Sequence, residues 1–304
     1  MKHLKMQATL LIVFFTILSC VNDKKEKIED VQLTSIKSDT KTTNDNLNIS
    51  FLLDLSDRIS PEVYANETME FYKRDVAYIK SVSEAFDTHL RTKRVRQMND
   101  HIQVFFDPEP QNSNINKISK DLKYFIDRKT ASLELLDEIK NTYSNKPELI
   151  YQLAIEDNKY IGSDTWKFFK NKVKDYCVDE NYRNILVILT DGYIYHKDTK
   201  RKEANKTTYL TANSIKEFRL NRQDWENRIV EMEYGFIPAT KDLSNLEILV
   251  LGVNPDKNNS YEQEVIVKYW SDWFETMNVK RYVIKSAGLP SNMDKIIKDF
   301  ILIN

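Results

Sequence analysis

Two apolar runs, each ending in an aspartate, constrain this chain more than anything else in it. Asn48-Ile49-Ser50-Phe51-Leu52-Leu53 leads into Asp54-Leu55-Ser56-Asp57, and Asn184-Ile185-Leu186-Val187-Ile188-Leu189 leads into Thr190-Asp191-Gly192. A run that is apolar at almost every position and stops at polar residues reads as a strand buried on both faces, between two helical layers of a parallel sheet. Ligands of open α/β sheets gather outside the carboxyl ends of such strands. Two carboxylates delivered there make a hard-oxygen site suited to a divalent cation.

The rest of the chain alternates strand and helix. Strands are expected at 48–55, 101–106, 184–190, 246–253 and 281–285. Helices are expected at 61–98, 115–127, 130–143, a short stretch opened by Pro147, 166–176, 261–277 and 291–302, the last capped by Ser291. Alternation at this spacing implies an α/β domain with a doubly wound, mostly parallel sheet and helices on both faces. No repeat is present, and no Gly-rich phosphate loop accompanies the strands. The connection from 190 to 246 is far longer than a usual crossover. We expect an insertion over about 194–243, with a basic start from Lys197 to Lys206, lying beside the strand ends.

The first residues carry a different signal. Lys2 and Lys5 precede an apolar run from Ala8 to Leu18 and then Ser19-Cys20, the layout of a secretory leader over 1–19. Ile17-Leu18-Ser19-Cys20 resembles the bacterial lipobox, which implies lipidation of Cys20 and anchoring to a bacterial membrane. The abundance of Lys, Asn and Ile suggests an outer-membrane lipoprotein of the cell envelope. Residues 20–46 are rich in charge, Ser and Thr and poor in large apolar groups, so they are expected to form a flexible tether to a domain at 47–304. Without Lys2 and Lys5, 43 of the 45 basic residues face 46 acidic ones, a balance that gives no support for nucleic acid as a partner. Cys177 is then the one cysteine left besides Cys20, so no disulfide can form within the domain; a buried, inert thiol is expected.

Asp54-Leu55-Ser56 resembles the opening of the Asp-x-Ser-x-Ser motif of von Willebrand factor A domains. Ile161-Gly162-Ser163-Asp164-Thr165 is similar to that family's Gly-Gly-Thr loop, and Leu189-Thr190-Asp191-Gly192 to its strand-four motif. The resemblance runs in order over 47–304. It implies a Rossmann-like fold and a metal-ion-dependent adhesion site at which a protein partner is held; no enzymatic activity is expected, because no catalytic constellation accompanies these residues. By transfer, Asp54, Ser56, Ser163 and Asp191 are the ligands of Mg²⁺ or Mn²⁺, with Asp57, Arg58, Thr165 and Tyr193 as neighbours.

One departure matters. Arg58 stands where the family has its third motif serine. A guanidinium cannot ligate a cation, and beside the site it opposes one. It can instead pair with Asp57 or a site aspartate and fill the cation's place, which leaves a metal-independent structural subunit of an envelope assembly as the alternative function. A metal-dependent hydrolase using the same carboxylates is the weaker alternative, because no general base with a partner accompanies them.

Overall fold

The structure, a computed structural model, describes residues 46–160 and 162–303. The expected leader, Cys20 and all but the last residue of the expected tether lie outside the described residues.

Chain order runs β1 (Leu47–Leu53), α1 (Phe71–Thr92), β2 (Asn99–Phe105), α2 (Ser113–Asp121), β3 (Tyr124–Asp127), α3 (Leu133–Asp157), α4 (Thr165–Asn171), α5 (Val173–Cys177) and β4 (Arg183–Leu189). It continues with β5 (Lys202–Glu203), β6 (Lys206–Thr207), α6 (Ala212–Glu217), α7 (Trp225–Met232), β7 (Gly235–Phe236), β8 (Leu246–Val253), α8 (Glu262–Thr276), β9 (Arg281–Ser286) and α9 (Pro290–Leu302). Six strands form one sheet in the order β3-β2-β1-β4-β8-β9. Five run parallel, and β3 is antiparallel to β2 at one edge. The fold is therefore α/β, with a mixed six-stranded sheet between helical layers.

Each central strand feeds both layers by alternation. Ile49, Phe51, Ile185, Val187, Leu189, Leu249 and Leu251 enter a core shared with α1, α3 and α9. Leu52, Leu186, Ile188, Leu246, Ile248 and Val250 enter the opposite core with α4, α8 and the connection between β4 and β8. That connection forms a small sheet, β5-β6-β7, and buries Leu210, Ile215, Phe218, Ile229 and Phe236. Trp270, Trp273 and Phe274 of α8 pack there, so this aromatic stripe is core.

Several expected elements change; the helix expected at 166–176 is two, α4 and α5, on either side of Lys172. The first helix, expected over 61–98, runs only from Phe71 to Thr92. The Asn66 side-chain carbonyl accepts from the backbone N–H groups of Thr68 and Met69 and from Arg74, and this turn delays the helix to Phe71. The helices expected at 130–143 and after Pro147 are one. A buried stripe of Leu136, Ile139, Tyr143, Pro147, Ile150, Tyr151 and Ala154 runs straight through the proline. Burying it outweighs the roughly 3 kcal/mol that an interior proline costs. The stretch 124–127 is strand, not helix, because an edge position beside β2 accepts its half-exposed alternation. Ser291 lies inside α9: Leu289 is the cap and Pro290 takes the first turn, where its missing N–H costs nothing.

Candidate functional site at the ends of β1 and β4

Asp54 is the first residue beyond β1. Its backbone N–H still donates to Leu189 O at 3.0 Å, so it leaves the sheet in register. One carboxylate oxygen accepts the Ser56 N–H at 2.9 Å and the other the Thr190 hydroxyl at 3.1 Å. Thr190 Oγ1 also accepts the Gly192 N–H, and Asp191 Oδ1 accepts the Tyr193 N–H at 3.0 Å. Gly192 has φ +95, and a Cβ there would meet Ile266 at 2.6 Å. Only glycine lets the chain turn this closely over α8.

Arg58 dominates the crevice between these strand ends. It sits in a short 3-10 turn, Asp57–Ile59, and its side chain points inward with 4 % of its surface exposed. Nε donates to Asp54 O at 3.2 Å and lies 3.6 Å from Asp54 Oδ2. Nη2 donates to Leu189 O at 3.0 Å and to the Asp75 carboxylate. Asp75 belongs to α1, is 1 % exposed, and also accepts the Tyr151 hydroxyl of α3 at 3.1 Å. Gly252, at φ +100, leaves room for this group, since a Cβ would stand 3.0 Å from Thr190 O and 3.5 Å from Asp75.

The electrostatics follow from this packing. Burial alone would lower the Arg58 pKa, but Asp75 and Asp54 outweigh it and hold the guanidinium charged. The half-buried Asp191 carboxyl is pushed up to about 7, first by burial and then by the Asp54 charge, against the pull of Arg58 and the Tyr193 N–H. Burial beside Asp75 raises the Tyr151 phenol well above its ordinary value.

The other expected ligands separate from this centre. The Ser163 and Thr165 hydroxyls are buried and lie 3.1 Å from each other, and neither hydrogen-bonds to Asp54 or Asp191. Between them Asp164 caps α4 through the Lys167 N–H, accepts the Thr199 hydroxyl at 2.9 Å and lies 3.4 Å from His196. This loop is therefore laced to the chain after β4. Ser56 offers its N–H to Asp54, and Asp57 is exposed. Tyr193 touches the site through its backbone, while its hydroxyl donates to Glu262 at 2.6 Å.

A divalent cation does not fit this arrangement as it stands. It needs an open sphere of oxygens, and the position beside Asp54 is filled by a guanidinium. Among the described residues no group of three or more His, Cys, Asp or Glu is placed to hold a metal.

Asp75 and Tyr151 were not foreseen. The available signal was a carboxylate on the apolar stripe of α1, in line with Tyr72, Ile79 and Val82. The basic run from Lys197 is less free than its charge suggests: Lys200 lies over Tyr209, Arg201 over Trp166 and Lys202 over Phe218, at 5.0 to 5.4 Å. Cys177 is fully buried at the end of α5, and burial pushes its thiol up to about 12.

No family model and no curated protein matches the chain. Among solved structures it is similar to two crystal structures of the pilus adhesin SpaC from Lactobacillus rhamnosus GG, one of them in an open conformation. The TM-scores are 0.42 and 0.39, with 11% identity in each case. The match covers 86% of this chain and 31% of the adhesin, so the chain spans about a third of that protein's length.

Proposed function

We propose that the chain is a von Willebrand factor A-like binding module, tethered to the cell envelope through a lipidated Cys20. It holds a protein partner at the crevice end of β1 and β4. In this reading Arg58 takes the place of Mg²⁺ and recognition is metal-independent. The sheet order with a single antiparallel edge strand supports the family reading, as do Asp54 and Thr190-Asp191-Gly192 at adjacent strand ends. The observation that carries the metal-free reading is the Arg58 guanidinium, shared between Asp54, Asp75 and Leu189 O.

Calorimetric titration of Mg²⁺ and Mn²⁺ tests it. The wild-type chain should give no saturable heat, and Arg58→Ser, which vacates the position and adds a hydroxyl, should gain binding that a further Asp191→Ala removes. Saturable binding by the wild type that Asp191→Ala abolishes would sink the proposal. The anchor is checked separately, by incorporation of labelled fatty acid that Cys20→Ala abolishes.

A further inference from the structure

A cleft of about 260 Å³ opens beside the crevice, at the carboxyl ends of β1 and β2, under the 107–112 loop and against α2 and α3. Leu55, Phe106, Ile115 and Ala154 line it with apolar surface, and Pro108 and Pro110 stiffen its wall. Pockets for drug-sized molecules run to about 300–1,000 Å³, so this one suits a single long side chain.

Its one deeply buried charge is Asp107. That residue is 6 % exposed, and its Oδ2 accepts no hydrogen bond. Lys172 Nζ lies 3.3 Å from that oxygen without a hydrogen bond, and is itself 30 % exposed. Asp157 and Lys159 stand exposed at the cleft's edge, where solvent screens them; Asp157 accepts from Asn112 at 2.8 Å. A buried carboxylate held by one partly exposed ammonium, with no aligned hydrogen bond, gains from a second donor. A purely apolar group would add no donor to Asp107, whereas a cation could share it with Lys172.

We propose that this cleft receives a lysine or arginine side chain of the protein partner, its alkyl stem on Leu55, Phe106 and Ala154 and its cation on Asp107. Long basic side chains divide in this way between apolar and charged surfaces, and a pocketed Arg is a frequent anchor of protein interfaces. The identity of the occupant rests on the binding-module reading; the chemistry of the cleft does not.

The test is methyl NMR of the full chain, titrated with end-capped tripeptides carrying lysine, arginine or norleucine at the centre, and with n-butylamine. The basic peptides should shift the methyls of Leu53, Leu55, Ile115 and Ala154. They should bind about tenfold more tightly than the norleucine peptide, the size of one charge-assisted hydrogen bond. Asp107→Asn should erase the preference, and Ala154→Leu, which narrows the cleft and leaves the carboxylate, should weaken all the peptides. Equal binding of lysine and norleucine peptides, a preference that survives Asp107→Asn, or no shifts at all would overturn the inference. Butylamine binding more tightly than either basic peptide would remove the partner side chain as occupant. A wild type that binds Mg²⁺ yet keeps the basic preference would sink the metal-free reading and leave the cleft intact.

Discussion

Removing the Arg58 guanidinium should destabilise the fold far more than an ordinary surface change. It leaves Asp54 and Asp75, whose side chains are 3 % and 2 % exposed, without their counter-ion, with Asp191 beside them. Deleting one partner of a buried pair costs about 3–5 kcal/mol. For a domain of this size each kcal/mol moves the melting temperature by about 2–4 °C, so Arg58→Ala should melt on the order of 10 °C lower at pH 8. The loss should shrink toward pH 5. Arg58 holds the Asp191 carboxyl down, so without it that group, already pushed up to about 7, rises further and takes a proton more readily. Arg58→Lys keeps the charge but not the fork that reaches Asp54, Asp75 and Leu189 together, and should fall between. Urea unfolding at both pH values measures this. A loss below about 1 kcal/mol, or one equal at pH 8 and pH 5, would refute the counter-ion argument.

Three further outcomes follow from the same geometry. Because Asp191 is raised in the folded state to about 7, its contribution to stability is full below its ordinary 3.8 and is lost as pH rises through 7. Asp191→Asn should thus be more stable than wild type at pH 8, by about 1–2 kcal/mol, and nearly equal at pH 4, as followed by thermal melting. Burial would raise Glu247, but Arg183, Arg281 and Lys280 hold its carboxyl below the ordinary 4.5. The stability it supplies is present above 4.5 and falls away in more acid solution, so Glu247→Gln should flatten the acid limb of a stability-versus-pH curve. Gly192→Ala places a Cβ 2.6 Å from Ile266 at a left-handed φ and should cost about 1–3 kcal/mol, read as a lower urea midpoint with an unchanged slope.

What was legible in the sequence divides along physical lines. β1, β4 and β8 were readable because a strand buried on both faces must be apolar at nearly every position. Helix limits were less so. The start of α1 depends on one Asn66 side chain, and the continuity of α3 on a buried stripe that overrules a proline. The aspartates at the strand ends came from the same apolar runs. An ion pair for Arg58 with a site aspartate was an open alternative in the sequence, but its meeting with Asp75 and Tyr151 was not legible there. They come from α1 and α3 and meet Arg58 only once both helices pack on the same face of the sheet.

On the proposed binding-module reading, that meeting alters what kind of recognition the site can support. A bound divalent ion is an exchangeable ligand whose occupancy follows its concentration, and its open coordination position invites a carboxylate from outside. A guanidinium carried by the chain itself is present at a fixed stoichiometry. Here Nε and Nη2 are committed to Asp54, Asp75 and Leu189 O under 4 % exposure, so the charge holds α1 and two strand ends together and faces no partner. Exposed Asp57 and half-buried Asp191 stand at the crevice, and Asp107, 6 % exposed, lies inside the neighbouring cleft. In the proposed binding module the cation is internal, so a partner would contribute most by bringing positive charge to Asp57 and Asp191. On the proposed reading, metal-free recognition follows from the arginine at position 58, whereas the basic anchor rests on Asp107 of the neighbouring cleft and stands or falls apart from it.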